Sequence, residues 1–168
     1  MEQELPAKIG QFFLEKENEL LEHCEEDESQ LLSSLQFATQ LALFQDKPSE
    51  RALFGWGSLK ADFRPNDDES TIIEVKYIRT TKLANGSLQH NECDIKNSLS
   101  QIIEQAACKN KGHAILVVID AGRYSTKPWG PLEEKFISMF KQNPFSIDLS
   151  VVRIKLDIGG RKVSYSIF

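Results

Sequence analysis

The sequence predicts a single α/β domain in which a mixed central β-sheet is flanked by helices. The first 47 residues place apolar side chains at helical spacing, whereas from residue 51 onward short strand-like segments alternate with two further helical segments. The 168 residues are 40% hydrophobic and 27% charged, a composition typical of globular proteins. A chain of this length buries enough surface to fold without a disulfide or a structural metal. We therefore expect one domain over residues 1–168, with an N-terminal helical segment at 1–47 and an α/β core at 51–168.

The N-terminal segment is predicted to form two amphipathic helices. An acidic run at residues 25–28 separates them, Ser29 is expected to cap the second helix, and Pro48 ends it. The first helix is expected to span about 20 residues, because seven apolar positions recur at spacings of three, four and seven. Those positions are Leu5, Ile9, Phe12, Phe13, Leu20, Leu21 and Cys24.

The core begins with strand-like segments. Two short strands are predicted at residues 52–58 and 59–64, and the β-branched stretch at 71–78 is a third strand. Asn85-Gly86 marks a loop or hairpin tip. The later elements are, in order, a helix over 94–109, a buried strand over 114–119, a helix opened by Pro128 and Pro131 and reaching 142, and strands over 150–158 and 161–168.

Charge and cysteine content narrow the functional classes. Residues 1–50 contain 12 Asp and Glu against 3 Lys and Arg, whereas residues 51–168 contain 13 against 17, so a nucleic-acid partner stays open for the core. Three widely spaced cysteines are typical of reduced thiols, and the longest apolar run has six residues, too short for a membrane span. With an acidic N-terminus in place of a secretory signal, we expect a cytoplasmic protein that makes no membrane contact.

The third strand carries two charges among apolar neighbours. Residues two apart in a strand share a face, so Glu74 and Lys76 project together, and Ile73, Val75 and Tyr77 project from the other face. Burying such charges costs several kcal/mol unless they are paired or bound to an ion. This cost favours a functional reason for their presence. The alternative interpretation is a surface ion pair on an edge strand.

A third charged residue lies on the preceding strand. A hairpin through the polar turn at residues 65–69 brings Asp62 beside Glu74, and two converging carboxylates repel each other unless a cation lies between them. Oxygen ligands favour Mg²⁺ or Mn²⁺ over zinc. Lys76, next to that ion, is suited to orient or help deprotonate an attacking water and to offset phosphate charge.

This pattern resembles the PD-(D/E)xK nuclease superfamily. The resemblance is carried by Asp62, a gap of eleven residues, Glu74-Val75-Lys76 on an apolar strand and the helix that follows, and it runs from Ala52 to about Asp120. Ala61 stands where the pattern usually has proline. The resemblance implies a restriction-endonuclease-like core with the order αβββαβ and an Mg²⁺- or Mn²⁺-dependent endonuclease that hydrolyses DNA phosphodiester bonds.

The resemblance also implies roles for individual residues. Asp62 and Glu74 would bind the catalytic metal together with the backbone carbonyl of Val75, and Lys76 would assist the hydrolytic water.

Residues on two helices complete the site that the resemblance implies. Glu17, on the apolar face of the first helix, is the further carboxylate proposed as a metal ligand, and Gln101, on the helix after the motif, is preferred over Gln105 as a catalytic residue.

The expected partner is DNA, and the small size of the chain favours a homodimer or a larger nuclease assembly. Two other classes stay open: a non-catalytic module of the same fold that binds nucleic acid or protein, and an interaction protein that pairs through its N-terminal helices. The complete set of Asp62, Glu74 and Lys76 favours the nuclease. Trp56 and Trp129 are expected to be packing anchors, and Asp120 is expected to cap a loop.

Overall fold

In a computed structural model of the protein, the described residues are 4–45, 62–82, 84–91, 95–122 and 129–168. They form a mixed open β-sheet with helices packed on both faces, which confirms the predicted α/β class. Within these ranges, no helix combines the length and the apolar character needed to cross a bilayer.

Six helices and seven strands lie in the described ranges. The helices are α1 (Leu5–Glu15), α2 (Glu17–Glu22), α3 (Glu28–Ser34), α4 (Phe37–Gln40), α5 (Ile95–Cys108) and α6 (Pro131–Lys141). The strands are β1 (Leu43–Gln45), β2 (Asp62–Pro65), β3 (Thr71–Lys82), β4 (Leu88–Asn91), β5 (His113–Ala121), β6 (Asp148–Asp157) and β7 (Lys162–Ile167).

The sheet has the order β1-β2-β3-β5-β6-β7, and β4 pairs with the far end of β3. The three central strands β3, β5 and β6 run parallel to one another, and the remaining pairs are antiparallel. Strand β5 is apolar on both faces, as expected for a strand covered by helices on each side.

Two hydrophobic layers lie on the two faces of the sheet. The layer that we call the α1 layer contains Ile73 and Val75 of β3 together with Phe13 of α1 and Phe37 of α4. The opposite layer, called the α5 layer, joins alternate residues of β3, β5 and β6 to α5 and α6. Alternation along β3 therefore assigns Glu74 and Lys76 to the α5 layer, on the same face as Ile72.

The N-terminal segment differs from its prediction. The first predicted helix is broken at Lys16, which separates α1 from α2. The cap of α3 is Asp27 and not Ser29, because the Asp27 carboxylate accepts a hydrogen bond from the Gln30 N–H at 2.8 Å. The helix consequently begins at Glu28, and Ser29 lies within its first turn.

The second predicted helix ends well before Pro48. Gln36 and Ala42 adopt the left-handed backbone region, with φ angles of 55° and 51°, and each ends a helical stretch. The chain then forms β1, which pairs antiparallel with β2. The predicted strand at 52–58 and most of that at 59–64 lie outside the described residues, and β2 begins at Asp62.

The core elements agree closely with their predicted positions. Helix α5 covers Ile95–Cys108 against a predicted 94–109, and β5 covers His113–Ala121 against 114–119. Strand β3 continues four residues beyond its predicted end and turns at Asn85-Gly86 into β4, which confirms the predicted hairpin tip. Gly86 has φ 84°, a conformation that glycine adopts without strain.

Candidate functional site

The β2–β3 hairpin positions the first two predicted site residues. Asp62 and Glu74 are direct cross-strand partners in the antiparallel pairing, as the sequence predicted. The turn between the strands is fixed by Asp68, whose carboxylate accepts hydrogen bonds from the Ser70 hydroxyl and N–H and from the Thr71 hydroxyl. These bonds, those from Ser70 foremost, hold the pKa of Asp68 below its usual range. An ionised Asp68 therefore helps to set the register that places position 62 opposite position 74.

Glu74 and Lys76 form an ion pair inside the α5 layer. The Lys76 Nζ lies 3.4 Å from the Glu74 Oε1, and the two residues are only 8% and 1% exposed. Strand β3 lies between β2 and β5, so the pair sits on an interior strand. The alternative of an exposed ion pair on an edge strand is therefore wrong. Removing one partner from a buried pair leaves an uncompensated charge and costs about 3–5 kcal/mol.

The donor atoms near this pair fit a hard divalent cation. Both carboxylate oxygens of Glu74 are solvent-inaccessible, and position 62 lies directly across the ladder on the same face. The Asp62 side chain lies outside the described part of the structure, so its place is given by the backbone register alone. The Val75 side chain packs in the opposite layer, so a contribution from this residue to an ion in the α5 layer is limited to its carbonyl.

Carboxylate and carbonyl oxygens are the ligands that Mg²⁺ and Mn²⁺ prefer, and water completes their coordination. Across the described ranges, no three His, Cys, Asp or Glu side chains are grouped closely enough to hold a metal ion. A divalent cation at this site would therefore depend on Asp62 and Glu74 with backbone and water oxygens.

The structure does not bring Glu17 to this cluster. The Glu17 Oε2 accepts a hydrogen bond of 2.9 Å from the Val163 N–H on β7, in the α1 layer. Strands β5 and β6 lie between β3 and β7, so these two strands are about 14 Å apart in the sheet. Glu17 lies on the α1 side of the sheet and Glu74 on the α5 side. The apolar face of the helix correctly indicated that Glu17 points toward the sheet, but not which strand it meets.

Helix α5 presents a different polar residue from the one preferred on sequence grounds. Gln101 is exposed, whereas Ser98 is buried within the stripe that packs on the sheet. Gln105 is partly buried, and its Oε1 accepts no hydrogen bond in the described ranges. The helix thus turns Ser98 toward the sheet and Gln101 toward solvent.

A second ion pair in the α5 layer was missed on sequence grounds. Arg153 Nη2 lies 3.0 Å from Asp120 Oδ2, and each side chain is 17% exposed. Asp120 Oδ1 also accepts a hydrogen bond from the Gly122 N–H, which confirms its predicted role as a loop cap. Arg153 stands among the apolar residues of β6 as Glu74 does among those of β3, so the same argument applied to β6 would have found it.

Trp129 contributes to packing around this second pair. Its ring stacks on Phe168 with centroids 5.8 Å apart, and the Arg153 guanidinium lies over it at 4.8 Å from the centroid. The prediction of a packing anchor is therefore confirmed for Trp129, and Trp56 lies outside the described residues.

No protein-family model matches the chain, and neither a curated protein nor a solved structure matches it. The function is therefore inferred from the chemistry of Glu74, Lys76 and the residues around them.

Proposed function

We propose that the protein is a metal-dependent nuclease that hydrolyses DNA phosphodiester bonds, with a restriction-endonuclease-like core of the PD-(D/E)xK type. One observation carries the proposal: Asp62 and Glu74 are cross-strand partners, and Lys76 lies two residues along the same face, 3.4 Å from the Glu74 carboxylate. This is the placement that the sequence resemblance requires of its aspartate, glutamate and lysine.

The proposed roles follow from charge and position. Asp62, Glu74 and the Val75 carbonyl would hold Mg²⁺ or Mn²⁺, and such an ion, when bound, polarises a phosphate oxygen and increases the acidity of water. Lys76 donates hydrogen bonds to the attacking water or to a phosphate oxygen, and its positive charge offsets the charge that develops during attack on phosphorus. Glu74 and Lys76 are buried, and burial strengthens each of these interactions relative to bulk water.

A non-catalytic module of the same fold is the second candidate, and the ion pair itself favours it. With Lys76 Nζ at 3.4 Å, the charges of Glu74 and Lys76 compensate each other without a metal ion. The acidic N-terminal segment also repels a polyanion and so favours a protein partner over DNA. Activity measurements separate the two candidates.

The test incubates the purified protein with plasmid, linear and single-stranded DNA in the presence of Mg²⁺, Mn²⁺ or a chelator. We expect metal-dependent nicking or degradation that Asp62→Ala, Glu74→Gln and Lys76→Ala abolish. Asp67→Ala, an exposed carboxylate of the same hairpin, is the matched control and should cleave like the wild type. Urea unfolding of each variant separates loss of chemistry from loss of fold.

Undiminished cleavage by the folded Asp62 and Lys76 variants would remove the proposed site. Absence of cleavage by the wild type with either metal would favour the binding module.

A further inference from the structure

Strand β6 places a second cation in the same layer as Lys76. In the parallel ladders, Lys76 pairs with Val118 of β5, and Val118 pairs with Arg153 of β6. Directly paired positions of neighbouring strands share a face and lie about 4.8 Å apart, so Lys76 and Arg153 flank Val118 at a backbone separation of about 10 Å. Two cationic residues therefore lie in one row across the central strands.

The Arg153 side chain is held in a fixed orientation. Its guanidinium lies over the Trp129 ring, and Trp129 is itself stacked on Phe168. Asp120 binds one end of the guanidinium through Nη2 at 3.0 Å. A planar cation held by a ring and a carboxylate loses little conformational entropy when it binds a further ligand.

The guanidinium has hydrogen-bonding capacity that the described residues leave unused. The hydrogen bond to Asp120 occupies Nη2, and the buried Nε donates to no acceptor in the described ranges. The side chain as a whole keeps 17% exposure and Nε is inaccessible to solvent, so an incoming ligand has to approach the guanidinium from its Nη side. Arginine binds phosphate through paired N–H donors, and phosphate oxygens are therefore the ligand that fits this group.

We propose that Arg153 binds a phosphate of the DNA backbone next to the one that is hydrolysed, with Asp120 and Trp129 as positioning residues. The substrate strand then runs across the sheet from β3 toward β6. This inference rests on the proposed nuclease function and extends it to the path of the substrate. Asp120 limits the affinity, since its negative charge faces the same phosphate.

The test measures the Kd for a 20-base-pair duplex by fluorescence anisotropy in Ca²⁺ at several salt concentrations, with a gel to verify that the duplex stays intact. We expect Arg153→Ala to raise the Kd about tenfold, the loss typical of one charged hydrogen-bonded contact. The slope of log K against log salt should fall in magnitude by about one, since one phosphate contact is lost. Arg153→Lys should give an intermediate Kd.

Lys141→Ala is the matched control. It removes the same charge from an exposed position at the end of α6, where the chain returns toward the start of β6. Its Kd and salt slope should equal those of the wild type within about twofold, as for a charge that makes no phosphate contact.

Asp120→Asn keeps an oxygen acceptor for Arg153 but removes the repelling charge, and it should lower the Kd by about two- to fivefold. This variant tests the proposal even where Arg153→Ala does not fold.

Three results would overturn the proposal: a folded Arg153→Ala variant with the Kd of Lys141→Ala, an unchanged Kd for Asp120→Asn, or a wild type that binds no DNA. The Arg153 and Asp120 results do not affect the nuclease assignment, which depends on cleavage by the wild type and on its loss in the Asp62 and Lys76 variants. Conversely, if Arg153→Ala binds DNA more weakly than a wild type that does not cleave, the proposed phosphate contact is supported and the proposed hydrolysis is rejected.

Discussion

The two faces of the sheet bury charge in different ways. In the α1 layer, the partly buried Glu17 accepts a hydrogen bond from a backbone N–H of the edge strand β7 among mostly apolar side chains. In the α5 layer, two ion pairs join side chains of the central strands, Glu74 with Lys76 and Asp120 with Arg153. A carboxylate that accepts a hydrogen bond from an otherwise unpaired backbone N–H has a structural reason to be buried. Charges that converge on one another at the centre of a sheet add desolvation cost, which makes both pairs candidates for a functional role, and Asp120 in addition caps the loop at Gly122.

The geometry of the β7 edge explains the role of Glu17. Val151 and Phe168 exchange two hydrogen bonds of 3.1 and 2.9 Å, and the alternation of an antiparallel ladder then turns the Val163 N–H away from β6. The Glu17 carboxylate satisfies this outward N–H. A negative charge held at an edge strand also opposes pairing with another chain.

The largest effect is expected from breaking the Glu74–Lys76 pair. Lys76→Met leaves the Glu74 carboxylate buried without its ammonium partner, and we expect the free energy of unfolding to fall by about 3–5 kcal/mol. The double variant Glu74→Gln/Lys76→Met removes both charges and should recover most of that loss. Urea unfolding of the two single variants and the double variant gives the coupling energy. Additive losses in this cycle would show that the two charges do not depend on each other.

The next largest loss of stability is expected from a packing change in the α1 layer, where apolar contacts and not ion pairs hold the helices on the sheet. A Cβ at Gly10 would meet the Tyr165 ring, with its Cγ only 2.7 Å away. We expect Gly10→Ala to lower the free energy of unfolding by about 1–2 kcal/mol, because overpacking outweighs the helix propensity gained by alanine. Gly10→Ala/Tyr165→Ala provides room for the methyl group, so the alanine at position 10 should then cost nothing. A stabilising Gly10→Ala would mean that the ring moves aside freely.

A smaller effect is expected at Glu17. Glu17→Ala removes the acceptor of the Val163 N–H and should lower the free energy of unfolding by about 1 kcal/mol. The exposed Glu19 on the same helix is the control, and Glu19→Ala should leave stability unchanged. DNA cleavage by both variants should equal that of the wild type, because Glu17 lies on the face opposite the proposed site. A folded Glu17→Ala protein without cleavage would instead return Glu17 to the metal site that the sequence resemblance implied.

Most of the core was predictable because its pattern is local. The apolar residues of α5 recur at helical spacing, and those of β5 form a continuous run, so both elements were placed within two residues at each end. Strand β1 was missed because Leu41 to Phe44 has the composition of a helix end. Two non-glycine residues with positive φ, Gln36 and Ala42, redirect the chain there, and pairing with β2 decides the outcome.

The candidate site was predictable to the extent that it depends on one hairpin. The short polar turn fixes the register of β2 against β3, so the pairing of Asp62 with Glu74 followed from the sequence. The position of Glu17 did not, because the apolar face of a helix indicates burial but not the strand on which it packs. The apolar neighbours of Arg153 on β6 mark it as a buried charge, but its alignment with Lys76 depends on the parallel register across three strands, which no local pattern specifies.

The smallest change in stability is expected at Asp68, in the turn that sets this register. Hydrogen bonds lower the pKa of Asp68 in the folded protein. The ionised carboxylate therefore stabilises the fold at pH values above the pKa of an unfolded aspartate, about 3.9. This stabilisation is lost as the pH falls through the lower pKa of the folded protein. Asp68→Asn should therefore reduce the loss of stability that accompanies acidification from about pH 5 downward. Thermal unfolding across this range measures the difference, and the exposed neighbour Asp67→Asn should follow the wild type. Parallel pH profiles for Asp68→Asn and the wild type would show that the turn holds its register without the ionised carboxylate, and β2 pairing would then alone place Asp62 opposite Glu74.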